Sequence, residues 1–318
     1  MLAVTIRDEQ LALEQHPDPE PGAGEVLVAV RAAGINGADL LQRKGRYPAP
    51  PGSPQDIPGL ELAGEVAACG PGADRFAPGD RVMGIVGGGG QAELAVVHER
   101  QLMPVPDAIS WAQAGGLPEV FATAHDALAG QAGLAPGDRL LVHGGAGGVG
   151  TAAVQIGHLY GAHVTATVRN EGHRGAVAAL GADSVIAPEE FPAHGPFDVI
   201  VELVGAPNLA ADVAALAECG RIVVIGIGAG AKGELNLAQL MARRGRILGT
   251  VLRARPLEQK AAVTRELERR LLPAFKRDRL RVPVAAEYAL ADAAAAYERF
   301  SAGGKLGKVV LTMAAAAQ

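Results

Sequence analysis

Cysteine is scarce: Cys69 and Cys219 are the only two in 318 residues, too few for a disulfide framework or a four-thiolate zinc site. Aromatic residues are 3% of the chain, so core volume has to come from Leu, Val, Ile and Ala and from close backbone contacts. No apolar run approaches the roughly 18 residues of a membrane span. The first residues, Met1-Leu2-Ala3-Val4-Thr5-Ile6-Arg7-Asp8, place charge where a secretory leader needs its apolar centre. These absences predict a reduced, cytoplasmic protein without a membrane partner. Lys and Arg form no run, and the net charge is −5. That argues against a nucleic-acid partner, because phosphate contacts need a concentrated positive surface.

What is abundant is glycine, 43 residues, with 21 prolines, the composition of a globular protein with many tight turns. The length predicts two domains at about 150 residues each. Up to about residue 110 the chain reads as short strands: Glu25–Arg31, Leu62–Ala67, Asp80–Gly84 and Ala92–Val97, separated by Gly70-Pro71-Gly72, Pro78-Gly79-Asp80 and Gly87-Gly88-Gly89-Gly90. Short strands at this spacing predict a small barrel. Ser110 is a candidate helix N-cap.

From about residue 138 apolar strands alternate with helix-length segments: Arg139–His143, His163–Val168, Ser184–Ile186, Asp198–Val204, Arg221–Ile225 and Arg246–Leu252. Six near-continuous apolar strands predict a doubly wound parallel sheet of the Rossmann type. Residues 257–275 predict one long helix, with Leu257, Val263, Leu267, Leu271 and Phe275 on its apolar face. The tail, with its strand Lys308-Val309-Val310-Leu311, is too short for a core of its own and is expected to complete the barrel. Ala314–Gln318 is expected to be a frayed end. The predicted division is therefore 1–115 with 276–318, and 116–275.

The motif that carries chemistry is Gly145-Ala146-Gly147-Gly148-Val149-Gly150, between an apolar strand and a helix. Glycines allow the sharp turn and the close approach of a pyrophosphate. The helix start offers free N–H groups and the positive dipole end. A dinucleotide site is predicted, with Gly145, Gly147, Gly148, Val149 and Gly150 as its cradle. For NAD, an acid is expected at the end of the following strand, about 20 residues on. This strand ends Thr167-Val168 and continues Arg169-Asn170-Glu171-Gly172-His173-Arg174. A missing acid and a cation there favour a 2′-phosphate, so NADPH is predicted, with Arg169, Asn170 and His173 as contacts. Arg174 is a further candidate, and Glu171 is the residue opposing this reading.

Several markers together resemble the medium-chain dehydrogenase/reductase superfamily, quinone oxidoreductase (zeta-crystallin-like) branch. They are Gly34-Ile35-Asn36-Gly37-Ala38-Asp39 running on to Tyr47, Pro58-Gly59-Leu60-Glu61-Leu62-Ala63-Gly64-Glu65-Val66, the glycine loop, and Gly307-Lys308-Val309-Val310-Leu311. Met1–Val4, Gly88–Ala92 and Leu252–Arg255 resemble the subgroup that includes a tumour-suppressor-induced human quinone reductase. The resemblance implies an α/β protein: a GroES-like barrel joined to a Rossmann domain. Zinc-dependent relatives carry a ligand Cys, a Gly-His-Glu motif and a lobe of four cysteines. Here Asn36 and Gly59-Leu60-Glu61 stand at the first two places, and the lobe is missing, so no metal is expected.

Without a Lewis acid, a quinone or conjugated carbonyl is the implied small-molecule substrate. The resemblance places Asn36 and Tyr47 beside the nicotinamide as catalytic residues, with Thr123, Gly205, Gly226, Ile227 and Leu252 as further coenzyme contacts. Lys308 is read as a coenzyme contact or a strand-edge charge, Glu61 as structural, and His125, His143 and His163 as non-catalytic. An enoyl-thioester or alkenal reductase is the alternative activity, and a non-catalytic, crystallin-like NADPH-binding protein is another. The family and the strand Ile247–Leu252 imply a homodimer. Two departures from the family are Ala146-Gly147 in the loop and Ile186-Ala187-Pro188 where relatives place a tyrosine.

Overall fold

A computed structural model describes residues 1–314; the expected frayed end falls, apart from Ala314, outside the described residues. Along the chain come β1 (Leu2–Arg7), β2 (Gln10–Gln15), β3 (Glu25–Gly34), α1 (Gly37–Arg43), β4 (Glu61–Cys69), β5 (Arg81–Ile85), β6 (Leu94–His98) and β7 (Leu102–Pro104). Then follow α2 (Trp111–Gly115), α3 (Pro118–His125), β8 (Arg139–Val142), α4 (Gly148–Leu159), β9 (His163–Thr167), α5 (Arg174–Ala178), β10 (Ser184–Ile186) and β11 (Phe197–Glu202). The rest comprises α6 (Leu209–Ala214), β12 (Leu216–Val224), α7 (Leu237–Arg243), β13 (Arg246–Gly249), α8 (Leu257–Arg270), α9 (Leu272–Phe275), β14 (Val284–Ala289), α10 (Ala293–Ser301) and β15 (Lys308–Thr312).

Two compact units result, Met1–Glu119 with Leu252–Gln318, and Val120–Val251. The expected division carried the nucleotide domain to residue 275; instead α8 and α9 pack with the first unit, α8 against β7. The expected single helix over 257–275 is interrupted at Leu271. Pro273 explains the break, since it has no N–H to donate and its ring collides with the carbonyl four residues earlier. The buried stripe of α8 is Ala261, Thr264 and Leu267, while Leu257 and Val263 are only half-buried.

In the first unit, seven strands form one sheet in the order β14-β15-β3-β4-β5-β7, with β6 also on β3. All pairs are antiparallel except β14 with β15. In β3, Val26, Val28, Val30 and Ala32 alternate inward, the period-2 pattern of a half-buried strand. Val26, Val28 and Val30 meet Leu62, Val82, Val97, Val309 and Leu311 in a single core, as a GroES-like barrel requires, while Ala32 packs with Ala112 and Val310. The β1–β2 hairpin lay hidden in the sequence. Its turn residues Asp8 and Glu9 adopt positive φ, a conformation usually announced by Asn-Gly or Asp-Gly.

The second unit has a six-stranded parallel sheet in the order β10-β9-β8-β11-β12-β13. In order of appearance that is 3-2-1-4-5-6, the Rossmann arrangement, whose first strand–helix turn faces the ligand crevice. Leu140, Leu141, Val142, Val199, Ile200 and Val201 are fully buried. This explains why these strands read as apolar runs rather than alternations. β11 stops at Glu202 rather than Val204, because the Glu202 carboxylate accepts the N–H groups of Val204 and Gly205 and turns the chain away.

Candidate functional site

The candidate side chains gather at two places, one in each unit. In the second unit the glycine loop joins β8 to α4. Gly147 caps the helix and has no side chain to satisfy its first-turn N–H groups, which leaves Gly148, Val149 and Gly150 at an open helix start. A Cβ on Gly150 would lie 2.2 Å from the Gly144 carbonyl, and one on Gly145 2.9 Å from Ala166 Cβ. Both positions therefore require glycine for the loop to lie close against helix and sheet. A bare cradle over a 12-residue helix suits a pyrophosphate. The residues fit a dinucleotide coenzyme.

Beneath the loop lies a polar cluster. His143 donates or accepts at 2.8 Å with Asp212 through Nε2, and its Nδ1 is 3.3 Å from Thr167 Oγ1. The Thr167 hydroxyl accepts the Gly144 N–H at 3.2 Å, and the Thr167 carbonyl accepts that of Gly145. Glu202 accepts from Gly205 N at 2.7 Å and from Asn208 Nδ2 at 2.9 Å. Burial raises the Asp212 carboxyl, with His143 opposing the shift. His143, Glu202 and Asp212 form the one grouping of potential metal ligands among the described residues. His143 Nε2 and Asp212 Oδ1 engage each other, and Glu202 accepts from Val204, Gly205 and Asn208, which ties the loops at the sheet's C-terminal edge, while Asp212 Oδ2 is buried without a partner.

The other predicted coenzyme contacts distribute unevenly. Arg169 and Asn170 are exposed just past β9; Asn170 accepts the Gly172 N–H, and Arg174 reaches back to the Val168 carbonyl. Gly205, Gly226 and Ile227 follow β11 and β12 at the expected edge. Gly205 has φ +120°, and a Cβ there would collide with the Gly230 carbonyl at 2.5 Å. Thr123 is buried in α3 of the same unit, whereas Leu252 belongs to the first. His125 bonds the Tyr160 hydroxyl at 2.8 Å.

In the first unit Asn36 caps α1 and lies at the centre of a buried network. Lys308 Nζ donates to Asn36 Oδ1 and Glu61 Oε1, both at 2.7 Å, and to the Ile35 carbonyl at 2.9 Å. Asn36 Nδ2 donates to Glu61 Oε1 at 2.9 Å. Glu61 Oε2 accepts the Glu119 N–H at 2.9 Å. Lys308 thus departs from both expectations: at 2% exposure, with three acceptors, it is an internal counter-ion. Glu61 is structural, as expected. Asp39 accepts the N–H groups of Asn36 and Gly59, and burial pushes its carboxyl up to about 6.

Beside this network, Arg253 donates to the carbonyls of Gly87 (2.7 Å) and Tyr47 (2.8 Å) and to Gln42 Oε1, with its guanidinium 5.2 Å from the Tyr47 ring centroid. Tyr47 is half-buried. Its phenol is raised above the ordinary range, chiefly by burial. Glu119 was not anticipated: one of its carboxylate oxygens is buried without a hydrogen-bond partner. Burial, and then the Glu61 charge, push the carboxyl up to about 8. Only its place in the Leu117-Pro118-Glu119 helix start marks it in the sequence, and many acids begin helices.

Comparison with known proteins matches residues 22–107 to the alcohol dehydrogenase GroES-like domain and residues 148–268 to the zinc-binding dehydrogenase family. Human quinone oxidoreductase is 30% identical over 308 residues, covering 93% of this chain and 91% of that protein. The chain belongs to the medium-chain dehydrogenase/reductase superfamily, on its quinone oxidoreductase-like branch.

Members of this superfamily are nicotinamide-dependent oxidoreductases of small molecules. Erythronolide synthase EryA2 of Saccharopolyspora erythraea is 38% identical over 320 residues, 96% of this chain but only 8% of that protein. The crystal structure of mycobacterial Rv1454c complexed with NADPH superposes with a TM-score of 0.88 at 27% identity, covering 98% of this chain and all of that one. Zinc does not fit the first unit: Asn36 Oδ1 and Glu61 Oε1 already hold the Lys308 ammonium, and Leu60 stands next to Glu61 in the place of a ligand histidine. No helix among the described residues is long and apolar enough to cross a membrane.

Proposed function

We propose that the chain is an NADPH-dependent, zinc-independent reductase of quinones and related electrophilic carbonyls. The observation that supports this best is the conjunction of a bare glycine cradle with an exposed Arg169, and no acid, directly past β9. When bound, NADPH supplies the hydride. The N–H groups of Gly148, Val149 and Gly150 hold its pyrophosphate. Arg169, with Asn170 and His173, meets the 2′-phosphate, because a guanidinium pairs with phosphate through charge-assisted hydrogen bonds.

In the first unit Tyr47 takes the acceptor, since its hydroxyl has no partner among the described residues and its ring is held from one side by Arg253. Asn36 acts as a positioning residue: its oxygen is committed to Lys308 and its nitrogen to Glu61. A second reading has its own support. Likeness to a segment of a polyketide synthase favours reduction of a double bond conjugated to a thioester, the same hydride chemistry on a vinylogous carbonyl. Coenzyme-loaded storage without turnover is the third.

Coenzyme oxidation with 1,2-naphthoquinone, 1,4-benzoquinone and a crotonyl thioester separates the three. Faster turnover of the quinones supports the first reading, faster turnover of the thioester the second, and NADPH binding without oxidation the third. We further propose a homodimer through β13, which ends the sheet near exposed Leu237, Met241 and Val251. Light scattering should give the mass of two chains; the mass of one would refute it.

A further inference from the structure

The Tyr47 hydroxyl, the Lys260 amine and the Glu119 carboxyl of the first unit have no hydrogen-bond partner among the described residues, and one Glu119 oxygen is fully buried. They form one electrostatic neighbourhood. The Glu119 charge acts on both Tyr47 and Lys260, and the Arg253 charge acts on all three. The charged groups around them are engaged: Asn36, Glu61 and Lys308 hold one another, Asp39 holds two backbone N–H groups, and Arg253 has three acceptors.

An acid that is left unpaired beside so complete a network costs stability. An unpaired buried polar group calls for an explanation, and a catalytic role is one. One Glu119 oxygen is buried, while the residue as a whole keeps part of its surface open. The Glu119 N–H is tied to Glu61 Oε2, which seats the residue against the Asn36–Glu61–Lys308 network.

We propose that Glu119 is the proton donor of this site, handing its proton to the acceptor's carbonyl oxygen as hydride reaches the conjugated system. The inference rests on the reductase reading above. Reduction needs two electrons and a hydrogen, delivered together as hydride from NADPH, and one further proton. The acceptor forms one C–H or O–H bond from the hydride and one O–H bond from the Glu119 carboxyl, whose own O–H breaks. The bound coenzyme would supply the electron pair and so end oxidised, and Glu119 would regain its proton from solvent.

The environment keeps that proton available at neutral pH. Burial and the charges of Glu61 on β4 and Asp39 on α1 raise the carboxyl to about 8, against the opposing pull of Lys308 on β15 and of Arg253. Lys260 on α8 is lowered by burial and by Arg253. A donor near the working pH is what general acid catalysis asks for.

The test is Glu119→Gln, which keeps shape and a hydrogen-bond donor but carries no transferable proton. In the wild type, kcat should fall above about pH 8. In Glu119→Gln, kcat at pH 7 should drop by about 100-fold, the alkaline limb should vanish, and NADPH affinity should stay unchanged. Glu119→Asp should recover part of the rate.

A second measurement needs no coenzyme and no turnover. A carboxyl raised in the folded state binds a proton that the unfolded chain releases, so stability falls as pH rises from about 4.5 to 8. The wild-type melting temperature should therefore decline across that window more steeply than that of Glu119→Gln. Activity that persists in Glu119→Gln with its alkaline limb intact overturns the donor role alone, as do superimposable melting curves. A wild type inert toward every acceptor overturns the reductase reading and the donor role with it, while the melting curves still report where Glu119 titrates.

Discussion

Lys308 and Tyr47 show how differently two polar side chains of one network can be used. Lys308 is enclosed by Glu61, Asn36 and the Ile35 carbonyl. Its removal strands a buried carboxylate, which typically costs about 3–5 kcal/mol. Lys308→Met should therefore lower unfolding stability in urea by that order, and adding Glu61→Gln should restore much of it. If Lys308 instead met the coenzyme, the variant would lose NADPH affinity with little change in stability.

Tyr47 has a free hydroxyl beside an anchored ring. Tyr47→Phe should raise KM for a quinone about 3- to 10-fold, the worth of one neutral hydrogen bond, and leave the folded protein unchanged. A KM identical to wild type would leave the ring alone to carry recognition. For Asn36, the sequence carried no sign that its side-chain atoms are consumed by its neighbours. Its partners Glu61 and Lys308 lie 25 and 272 residues away in sequence, and no local pattern links them.

Among the elements, those of the second unit were legible because a doubly covered parallel strand writes its burial into sequence as an unbroken apolar run. Ser184–Ile186 matches its predicted bounds, and Arg139–Val142 and His163–Thr167 miss theirs by one residue. The failures occurred where a single side chain overrides the pattern. Pro273 divides a periodic helix, Glu202 ends a strand two residues early, and Asp8-Glu9 makes a hairpin without glycine.

On the proposed function, the glycine loop is the element that matters most. A methyl group on Gly150 would meet the Gly144 carbonyl at 2.2 Å, and backbone there cannot yield without moving the start of α4. Gly150→Ala should weaken NADPH binding at least tenfold while circular dichroism stays native. Wild-type affinity in that variant would show that the cradle does not hold the pyrophosphate. His143 was read as non-catalytic. Its ring is linked through Thr167 to the Gly144 N–H.

For the whole molecule, the division of labour is between a Rossmann unit that holds a coenzyme and a GroES-like unit that carries Tyr47, Glu119 and the Lys308–Glu61 network. The first unit is discontinuous, closed by β14 and β15 from the chain's last third. The C-terminal strand was foreseen there, because a lone strand cannot bury its own faces; α8 and α9 were not, since an amphipathic helix carries no mark of which core it covers. A coenzyme that binds only the folded chain adds stability by mass action, about 2.7 kcal/mol at a hundred times its Kd. The identity of that coenzyme is therefore open to direct binding measurement.

Titration of the coenzyme-free protein with NADPH and with NADH, under one buffer and salt, tests the account most directly. Arg169 just past β9, with no acid at the strand's end itself, predicts NADPH the tighter ligand by about tenfold or more, as a charge-assisted phosphate contact provides. NADH binding with equal or greater affinity would contradict it.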